Sequence, residues 1–504
     1  GDLFRDEENG LVFIDDFEGA EYSISFLNPT RWNLASAPAA IPGYDDSYFM
    51  DANNSAPQTI TDKKARADLR SQFSWYSIPR NIESVSSSDV TEESRAIRID
   101  EVFQGREIIN ASDAILTPLD IYYNPNQRGP YNYNRDLKTF LENEPDRMWG
   151  GMTAVIPPGQ EDLVQNNIEF LEFWVQPVLP GGQDGMGEEQ FYEGKIYLDL
   201  GIISEDVVPN VRLNTEDGLA TVLKNLTEDD PEGDPRSYIP PSPPVPLGQF
   251  SNSNRQLEDV GLDGAPNPGT AGAEGRDESS LFSEFIQSIR DSYGDGSEMA
   301  TKVEADPSND DYVYYGERQV RELKLNERFH RMLGYHDGNT PESSANSDKT
   351  AITLRPDTEG LVSSSSIQQS NSYFQYEIDF NPADRTQLQI GSEGTYIVDK
   401  VTPASSELRS WYLVRIPLTD FKRKFGEVES FQNISYMRLW MSGYEKPFTL
   451  RFATFEFIGS QWKKVTELTE TPANQDNFKI STINIEENAS REPFPYRQPD
   501  GSIR

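Results

Sequence analysis

Cysteine is absent from the 504 residues, and histidine occurs only twice. The lack of cysteine excludes disulfide scaffolds, thiol catalysis and cysteine-ligated zinc, and it is compatible with export from the cell. The two histidines, His330 and His336, are six positions apart, whereas two ligands on one helical face need a spacing of three or four. Both flank Gly334, so we interpret them as surface or turn residues and not as metal ligands.

Basic residues are scarce relative to acidic ones. The chain has 45 lysines and arginines against 84 aspartates and glutamates, which gives a formal net charge of -39. Such a field repels phosphate backbones and anionic lipid, so the sequence argues against binding to nucleic acid or to a membrane surface. A solvated acidic surface explains the charge more simply than an acidic site for a basic partner.

Long apolar runs are also missing. No run approaches the roughly 20 residues that a transmembrane helix requires, and the mean hydropathy is -0.66. Hydrophobic residues still make up 36% of the chain and aromatic residues 11%, which is enough to build sizeable cores. A length of 504 residues predicts two to four domains.

Familiar catalytic motifs are not found. The sequence contains no Gly-x-Ser-x-Gly elbow and no phosphate-binding loop, since Gly187 and Gly194 are too far apart. The pair Gly185 and Gly187 does not open a dinucleotide fingerprint, because Gln190 occupies the place of the third glycine. We therefore predict that the protein is not an enzyme and that it has no catalytic or cofactor-binding residues.

Two acidic stretches are candidates for calcium. Residues 291–302 resemble a calcium loop, but Tyr293 and Lys302 stand where the loop needs oxygen ligands, so we interpret the stretch as an ordinary glycine-rich turn. Asp15, Asp16 and Glu18 could contribute to a site, yet neighbouring carboxylates arise by chance in so acidic a chain. The sequence leaves structural calcium open and identifies no metal ligand.

Short strands bounded by turn residues predict a first β-sandwich domain over residues 11–214. Leu11–Ile14 opens it. Residues 168–175 alternate at first and then become apolar on both sides, which is typical of a strand packed on both faces. Another strand follows at residues 196–200, and a helix is predicted over residues 136–142.

Residues 215–345 are predicted to be a connector without a core of its own. Residues 240–246 are proline-rich and therefore stiff. Residues 251–280 are rich in Gly, Asn, Asp and Ser, which predicts a long mobile loop. Two helices are predicted, over residues 281–290 and 317–333.

Residues 346–462 predict a second β-sandwich domain, followed by a polar tail over residues 463–504. Residues 373–380 alternate cleanly between apolar and polar side chains. A later apolar stretch changes phase between Phe452 and Phe455, which indicates a β-bulge. Further strands are predicted at residues 411–416, 434–441, 448–458 and, in the tail, 478–485.

These patterns predict a mainly β protein, in which two jelly-roll or β-sandwich domains are joined by a loop- and helix-containing connector. Two stretches resemble carbohydrate-binding modules of jelly-roll type: residues 13–19 with Trp32, and residues 411–421 with 455–457. This resemblance bears on the fold and says little about a ligand. Aromatic residues of such modules can stack on sugars, but Trp174, Trp411 and Trp440 lie in predicted strands and are more readily core residues.

A second resemblance is more specific, because it rests on blocks that occur in order along nearly the whole chain. The blocks are Ser74–Ile78, Leu119–Pro125 with Arg128–Tyr133, Met148–Met152, Ile196–Gly201 with Ser204–Asp206, Asp306–Asp311, Leu325–Tyr335, Ile485–Asn488 and Arg491–Pro493. In these blocks the chain resembles the SprA family, the outer-membrane translocon proteins of type 9 secretion and gliding motility in Bacteroidetes-type bacteria.

The resemblance implies that the chain is a fragment of a far longer protein, a large single-chain β-barrel that exports folded cargo. It would be an inserted extramembrane part at the cell surface or the periplasmic face, able to cap or line the barrel mouth. The implied partners are the rest of the translocon chain, a PorV-type barrel, a plug protein and secreted cargo. The favoured interpretation is thus a non-catalytic translocon segment, and the alternative is a carbohydrate-binding surface module.

Overall fold

The structure is a computed structural model, and it describes the greater part of the chain. The residues described are 3–6, 11–14, 21–45, 59–79, 90–104, 114–180, 192–215, 224–225, 238–239, 261–269, 277–311, 315–316, 320–331, 357–362, 366–403 and 410–460. Several features of the sequence analysis lie outside the described residues. They are the predicted tail strand at 478–485, the proline-rich stretch at 240–246, Asp15, Asp16, Glu18 and His336.

Strands dominate the described residues, as the sequence predicts. The strands are β1 (Leu3–Asp6), β2 (Leu11–Ile14), β3 (Glu21–Ser25), β4 (Trp32–Leu34), β5 (Ser71–Tyr76), β6 (Ile97–Arg98), β7 (Ile115–Leu116), β8 (Leu119–Arg128), β9 (Trp149–Val155), β10 (Ile168–Val178), β11 (Lys195–Ile202), β12 (Lys224–Asn225), β13 (Tyr238–Ile239), β14 (Ser372–Asp379), β15 (Ile397–Val401), β16 (Trp411–Pro417), β17 (Arg423–Phe425), β18 (Tyr436–Ser442) and β19 (Phe448–Ser460).

The helices are short. They are α1 (Ile60–Ala67), α2 (Ile99–Val102), α3 (Leu137–Glu142), α4 (Glu278–Leu281), α5 (Ser283–Tyr293), α6 (Glu298–Ala305) and α7 (Leu325–Phe329). The helix predicted over residues 136–142 is confirmed as α3. The helix predicted over 281–290 corresponds to α4 and α5 together. Of the one predicted over 317–333, the described residues 320–331 contain the five-residue helix α7.

Two large sheets carry the fold, and every strand pair in them is antiparallel. A seven-stranded sheet has the order β15-β16-β10-β19-β8-β5, with β3 also paired to β19. A six-stranded sheet has the order β17-β14-β11-β18-β9-β4. Their inner faces share one apolar core, in which Trp32 of the six-stranded sheet stacks on Phe455 of the seven-stranded sheet with ring centroids 5.7 Å apart.

The mainly β fold is confirmed, but the strands are distributed differently from the expectation of one sandwich per segment. β10 from residues 11–214 lies between β16 and β19 from residues 346–462. β11 likewise lies between β14 and β18. The two segments therefore complete each other's sheets, and residues 215–345 separate them in sequence without separating them in space.

Both sheets are buried on both faces. In β10, Phe173 and Val175 face the shared core, whereas Trp174 points the other way into a smaller apolar cluster with Phe103 and Trp411. This confirms the prediction of a strand packed on both sides. Because other segments cover the outer faces, few strands show the alternation of apolar and polar residues that is typical of a sheet with one exposed face.

A bulge lies where the apolar phase changes. Trp174 pairs with Thr454 and Val175 pairs with Phe452, so Ala453 of β19 has no partner in β10. The extra residue turns Phe452 and Phe455 onto the same face, where their rings stack 5.3 Å apart. The predicted β-bulge is therefore confirmed at this point.

Each large sheet contains a fully buried Arg–Asp pair on directly opposed residues. Arg438 of β18 is the register partner of Asp199 of β11, and Arg451 of β19 is that of Asp120 of β8. All four side chains have no exposed surface. Both guanidinium groups also donate to backbone carbonyls of covering loops: those of Ser36 and Ala37 for Arg438, and those of Glu92 and Arg95 for Arg451.

The connector packs onto this core to a greater extent than its composition indicates. Residues 261–266 are buried, and Leu262 joins the main core. The expectation of a mobile loop is wrong for these residues, because they dock against tyrosine side chains at the end of β8. Phe282, Phe285 and Ile289 of the α4–α5 segment also enter the main core. Among the described residues, no helix has the length and apolar character needed to cross a bilayer.

Candidate functional site: the docking block at the end of β8

Residues 128–133, Arg-Gly-Pro-Tyr-Asn-Tyr, form a docking block that joins the sheets to the connector. The block begins with the last residue of β8. Gly129 passes so close to β5 that a Cβ atom placed on it would lie 2.3 Å from the carbonyl oxygen of Ser71. No side chain fits there without moving the backbone, so glycine is required for the block to leave the sheet at this point.

Arg70 and Asn132 fix the turn from both sides. The buried Arg70 guanidinium donates to the carbonyl of Pro130 at 2.9 Å, and the Asn132 side-chain amide donates to the carbonyl of Arg70 at 2.7 Å. The backbone of Tyr131 has a φ of 54°, which is unusual for a residue with a side chain. A Gly-Pro pair favours a turn, and this network of hydrogen bonds makes the turn at Gly129 and Pro130 rigid.

Arg128 binds the connector through its backbone. Its guanidinium donates to the carbonyl of Asp306 at 2.8 Å and to the carbonyl of Pro307. In return, the Asn309 side-chain amide donates to the carbonyl of Arg128 at 3.1 Å. Two of the blocks on which the family resemblance rests, 128–133 and 306–311, therefore bind one another directly.

Two tyrosines complete the docking. The Tyr131 amide donates to the Ser308 carbonyl at 2.7 Å, and the Tyr131 hydroxyl accepts from the Leu262 amide at 2.9 Å. Tyr133 stacks on Phe282, with centroids 4.2 Å apart and rings 10° from parallel. The block thus contacts three separate parts of the connector.

Three buried carboxylates lie beside these tyrosines, and we call them the acidic cluster: Asp263, Glu278 and Asp310. One oxygen of each lies within 4.8 Å of one oxygen of the others. Glu278 has no exposed surface, while Asp263 is 7% and Asp310 4% exposed. Asp263 accepts hydrogen bonds from the Ala265 amide and the Ser308 hydroxyl. Neither oxygen of Glu278 has a donor among the described residues.

The environment disfavours three negative charges at this place. Burial raises the pKa of Asp263 to about 6. Burial, followed by the charge of Asp263, raises the pKa of Glu278 well above its usual value. Burial and the charge of Glu278 do the same to the pKa of Asp310. To reduce the repulsion between these buried charges, the three carboxylates need either bound protons or a bound cation.

Two other buried carboxylates, those of Glu359 and Asp206, are satisfied by backbone amides. Glu359 accepts from the amides of Val208 at 2.8 Å and Asn214 at 2.9 Å. Asp206 accepts from the amides of Asn210 and Val211 at 3.0 and 3.2 Å. These contacts fix the 204–215 loop. Among the buried acids described, Glu278 is the one with neither carboxylate oxygen hydrogen-bonded, while Asp310 and Asp399 each have one such oxygen.

His330 is the one of the two histidines that the structure describes. His330 follows α7 and stacks on Tyr122, with centroids 3.6 Å apart and rings 2° from parallel. Its Nε2 lies 3.3 Å from Oε2 of Glu93, and its side chain is only 12% exposed. The prediction of a turn residue fits, but His330 is a packed residue and not a surface one.

Residues 291–302, which resemble a calcium loop in sequence, run from the end of α5 through a turn into α6. Gly294 and Gly296 have positive φ values and form the turn between α5 and α6. Lys302 pairs with Glu298 on the exposed face of α6, at 2.8 Å. The interpretation of this stretch as a glycine-rich turn therefore agrees with the structure.

The tryptophans singled out as core residues are buried. Trp174 is 2% exposed, and Trp411 and Trp440 are 0% exposed. Trp440 stacks on Tyr197 at 4.0 Å and donates from its indole nitrogen to Asp199. Among the described residues, Tyr44 is the one aromatic side chain that is prominently exposed.

Sequence reasoning missed the acidic cluster. Its members are separated by up to 47 positions, and Asp263 lies in a stretch whose composition predicts mobility. A usable signal was the Asp306–Asp311 block, where four acidic or amide side chains occur in six residues with no basic residue among them.

The comparisons with known proteins agree with the family resemblance. Residues 284–504, a little under half of the chain, match a family model described as motility related/secretion protein, SprA_N. The match includes the Asp306–Asp311 block, α7 and all the strands from β14 to β19. No curated protein is significantly similar to the chain. Over its residues 284–504 the chain is therefore similar to this motility and secretion family, which supports a SprA-type protein fragment.

Proposed function

We propose that this chain is a non-catalytic extramembrane segment of a type 9 secretion translocon in the outer membrane. It would cap or line the mouth of the pore through which folded proteins pass, in a machinery linked to gliding motility. The match of residues 284–504 to a secretion and motility family carries the proposal. The pore itself would come from the rest of the same protein, with a PorV-type barrel and a plug protein as partners.

The way in which the chain is built supports a structural role. Its family-like blocks at 128–133 and 306–311 hold two parts of the chain together through hydrogen bonds from Arg128 and Asn309 to backbone carbonyls. Such residues determine the position of a loop or a domain. A segment at a pore mouth needs a fixed geometry of this kind, because cargo would pass it repeatedly.

The surface also supports the proposal. Among the described residues, the large hydrophobic side chains that are exposed are Tyr44, Val164, Val211, Val362 and Ile390. They are far apart in sequence, and the chain as a whole has a formal net charge of -39. A surface of this composition disfavours the adhesion of partly exposed apolar cargo.

A carbohydrate-binding surface module remains the alternative function. Sugar platforms use several exposed aromatic rings on one face, whereas Trp174, Trp411 and Trp440 are all buried. This favours the translocon segment. A glycan array with the purified chain separates the two functions, since a module should retain glycans and lose them on Tyr44→Ala.

The decisive experiment is made in cells that carry the parent gene. Residues 11–462 are replaced by a short linker, arrival of the protein in the outer membrane is confirmed, and surface delivery of type 9 cargo and leakage of small dyes are measured. We expect export to fail or the pore to leak. Normal export with tight gating would refute the proposal. The single substitution Arg98→Met, on an exposed side chain, serves as a control that should leave export unchanged.

A further inference from the structure

We propose that Asp263, Glu278 and Asp310 bind a calcium ion that cross-links the connector beside the docking block. The inference concerns a site for a hard divalent cation, and it holds whether or not the chain serves in secretion. It rests on the geometry and burial of the three carboxylates and on the carboxylate oxygens of Glu278, which accept no hydrogen bond among the described residues because the neighbouring Ser308 hydroxyl donates to Asp263.

The first step is the state of Glu278. This side chain is fully buried, and both its carboxylate oxygens are without a hydrogen-bond donor among the described residues. Oδ2 of Asp310 is in the same situation. Buried carboxylates normally accept several hydrogen bonds or pair with a cation. Since Glu359 and Asp206 of this chain follow that rule with backbone amides, the unpartnered oxygens of the acidic cluster indicate a missing positive charge.

The buried Arg128 side chain does not form an ion pair with the acidic cluster. Arg128 is buried close by, but its guanidinium donates to the backbone carbonyls of Asn132, Asp306 and Pro307. It forms no ion pair with a carboxylate in the part of the chain that the structure describes. Its position is fixed by these bonds and by Phe285, over whose ring it lies at 5.4 Å.

The ligand set favours calcium over other metals. The cluster offers only oxygen atoms, which excludes the nitrogen- and sulfur-rich sites of zinc and copper. Calcium binds six to eight oxygens at about 2.3 to 2.6 Å, so two ligands on opposite sides of the ion are about 5 Å apart. The cluster oxygens lie within 4.8 Å of one another, which such a shell accommodates. Magnesium, in contrast, usually keeps several waters and is seldom held by protein ligands alone.

The backbone makes room for the cluster. Gly261 has a φ of +75°, and a Cβ atom placed on it would lie 1.8 Å from Oδ2 of Asp310. Glycine is therefore needed for this carboxylate to point inward. Asp306 and Asp311 form a neighbouring acidic group with Asp310, but their carboxylates already accept the amides of residues 310 and 311 and the side chain of Asn267. The site is thus best centred on the three buried acids.

An ion at this place would tie together three distant parts of the connector. Asp263 belongs to a turn, Glu278 is the first residue of α4, and Asp310 follows α6. The hydroxyl of Tyr133, from the docking block, lies 3.0 Å from the Ser308 hydroxyl, which donates to Asp263. Bound calcium would therefore stabilise the docking of the connector on the two sheets.

The test uses the 504-residue chain, unfolded in chelator, refolded without metal and titrated with calcium. We expect one calcium per chain by elemental analysis and a rise in Tm of about 3 °C or more at free calcium 100-fold above Kd. Magnesium at the same concentration should have a much smaller effect. Terbium should bind at the same place and show emission excited through Tyr133.

Glu278→Gln and Asp295→Asn make a matched pair. The first removes one buried charge from the cluster, while the second removes an exposed charge from the turn between α5 and α6. We expect Glu278→Gln to abolish the calcium-dependent rise in Tm, and to be at least as stable as the wild type in chelator because a buried repulsion is relieved. Asp295→Asn should behave as the wild type.

Two results would overturn the inference. One is a wild-type Tm that is the same in calcium and in chelator, with no stoichiometric metal, since the carboxylates would then be held by protons alone. The other is a calcium response that Glu278→Gln retains in full, because the ion would then bind elsewhere on the acidic surface.

Discussion

Arg438 and Asp199 are directly opposed on neighbouring strands, and the Arg438 Nε donates to Oδ2 of Asp199 at 2.8 Å with both side chains fully buried. Asp199 also accepts from the side chains of Gln375 and Trp440, each at 3.0 Å. Arg451 and Asp120 repeat the arrangement in the other sheet. Each pair therefore links two strands to the loop that covers them, and the charges are compensated only while all these partners are present.

This relationship gives the first prediction. Arg438→Met should lower the free energy of unfolding by about 3 to 5 kcal/mol, because it leaves Asp199 charged and buried without its cation. The double variant Arg438→Met/Asp199→Asn should recover part of the loss. Denaturant unfolding followed by tryptophan fluorescence measures both. A single variant as stable as the wild type would mean that Asp199 is protonated in the fold.

The local features of the strands could be predicted from the sequence. The alternation of β14 places Phe374, Tyr376 and Ile378 in the main core, and the phase change in β19 marks the bulge at Ala453. Both signals depend on neighbouring residues, for which the two-residue period of a strand is sufficient. The burial of Trp174 followed from the same reasoning.

The partners of the strands could not be predicted in this way. Tyr197 is opposed to Trp440 and Glu172 to Arg415, each pair more than 200 residues apart. An alternating pattern specifies which side of a strand is apolar, but it does not specify which strand lies beside it. For this reason the composition break at residues 215–345 predicted two separate sandwiches, whereas both flanking segments contribute to each large sheet.

In the docking block, too, the local conformation could be predicted from the sequence and the contacts with distant residues could not. Its turn was predictable from Gly129 and Pro130, but its contacts with residues 262 and 306–309 were not. The acidic cluster was missed because burial, and not spacing, makes its three carboxylates unusual. Nothing in the sequence around Glu278 distinguishes it from the other acidic residues of the chain.

The second prediction concerns Gly129. Gly129→Ala should destabilise the fold by about 1 to 3 kcal/mol, because the new Cβ atom would overlap the Ser71 carbonyl and push β5 away from β8. Gly159→Ala is the matched control: Gly159 has a φ of +85° with no atom within 4 Å, so only backbone strain of about 1 kcal/mol is expected. Thermal unfolding compares the two. Equal losses would show that the space between β5 and β8 is not limiting.

The third prediction tests the core role of the tryptophans. Trp440→Ala should cost about 3 to 5 kcal/mol, since the ring is fully buried against Tyr197. Tyr44→Ala, at a side chain that is 40% exposed, should change stability by less than about 0.5 kcal/mol. Chemical denaturation provides the measurement. A Trp440→Ala protein of normal stability that had lost binding to a glycan would favour the carbohydrate-binding function.

The last prediction concerns the hydrogen bonds between Arg128 and the connector. Arg128→Met keeps the apolar stem over Phe285 but removes the donors to the carbonyls of Asn132, Asp306 and Pro307. These carbonyls would then be buried without a partner, which costs about 1 to 3 kcal/mol each where water does not replace the donor.

The loss of stability should affect mainly the connector, because the strands of the two sheets remain hydrogen-bonded to one another. We therefore expect limited proteolysis to cut Arg128→Met several-fold faster between residues 261 and 311, with little change in the cutting of residues 410–460. Arg98→Met, at an exposed side chain paired with Asp100, should give the wild-type pattern. If Arg128→Met instead speeds cutting of both regions equally, the docking block stabilises the whole fold as one cooperative unit, and the connector does not open separately.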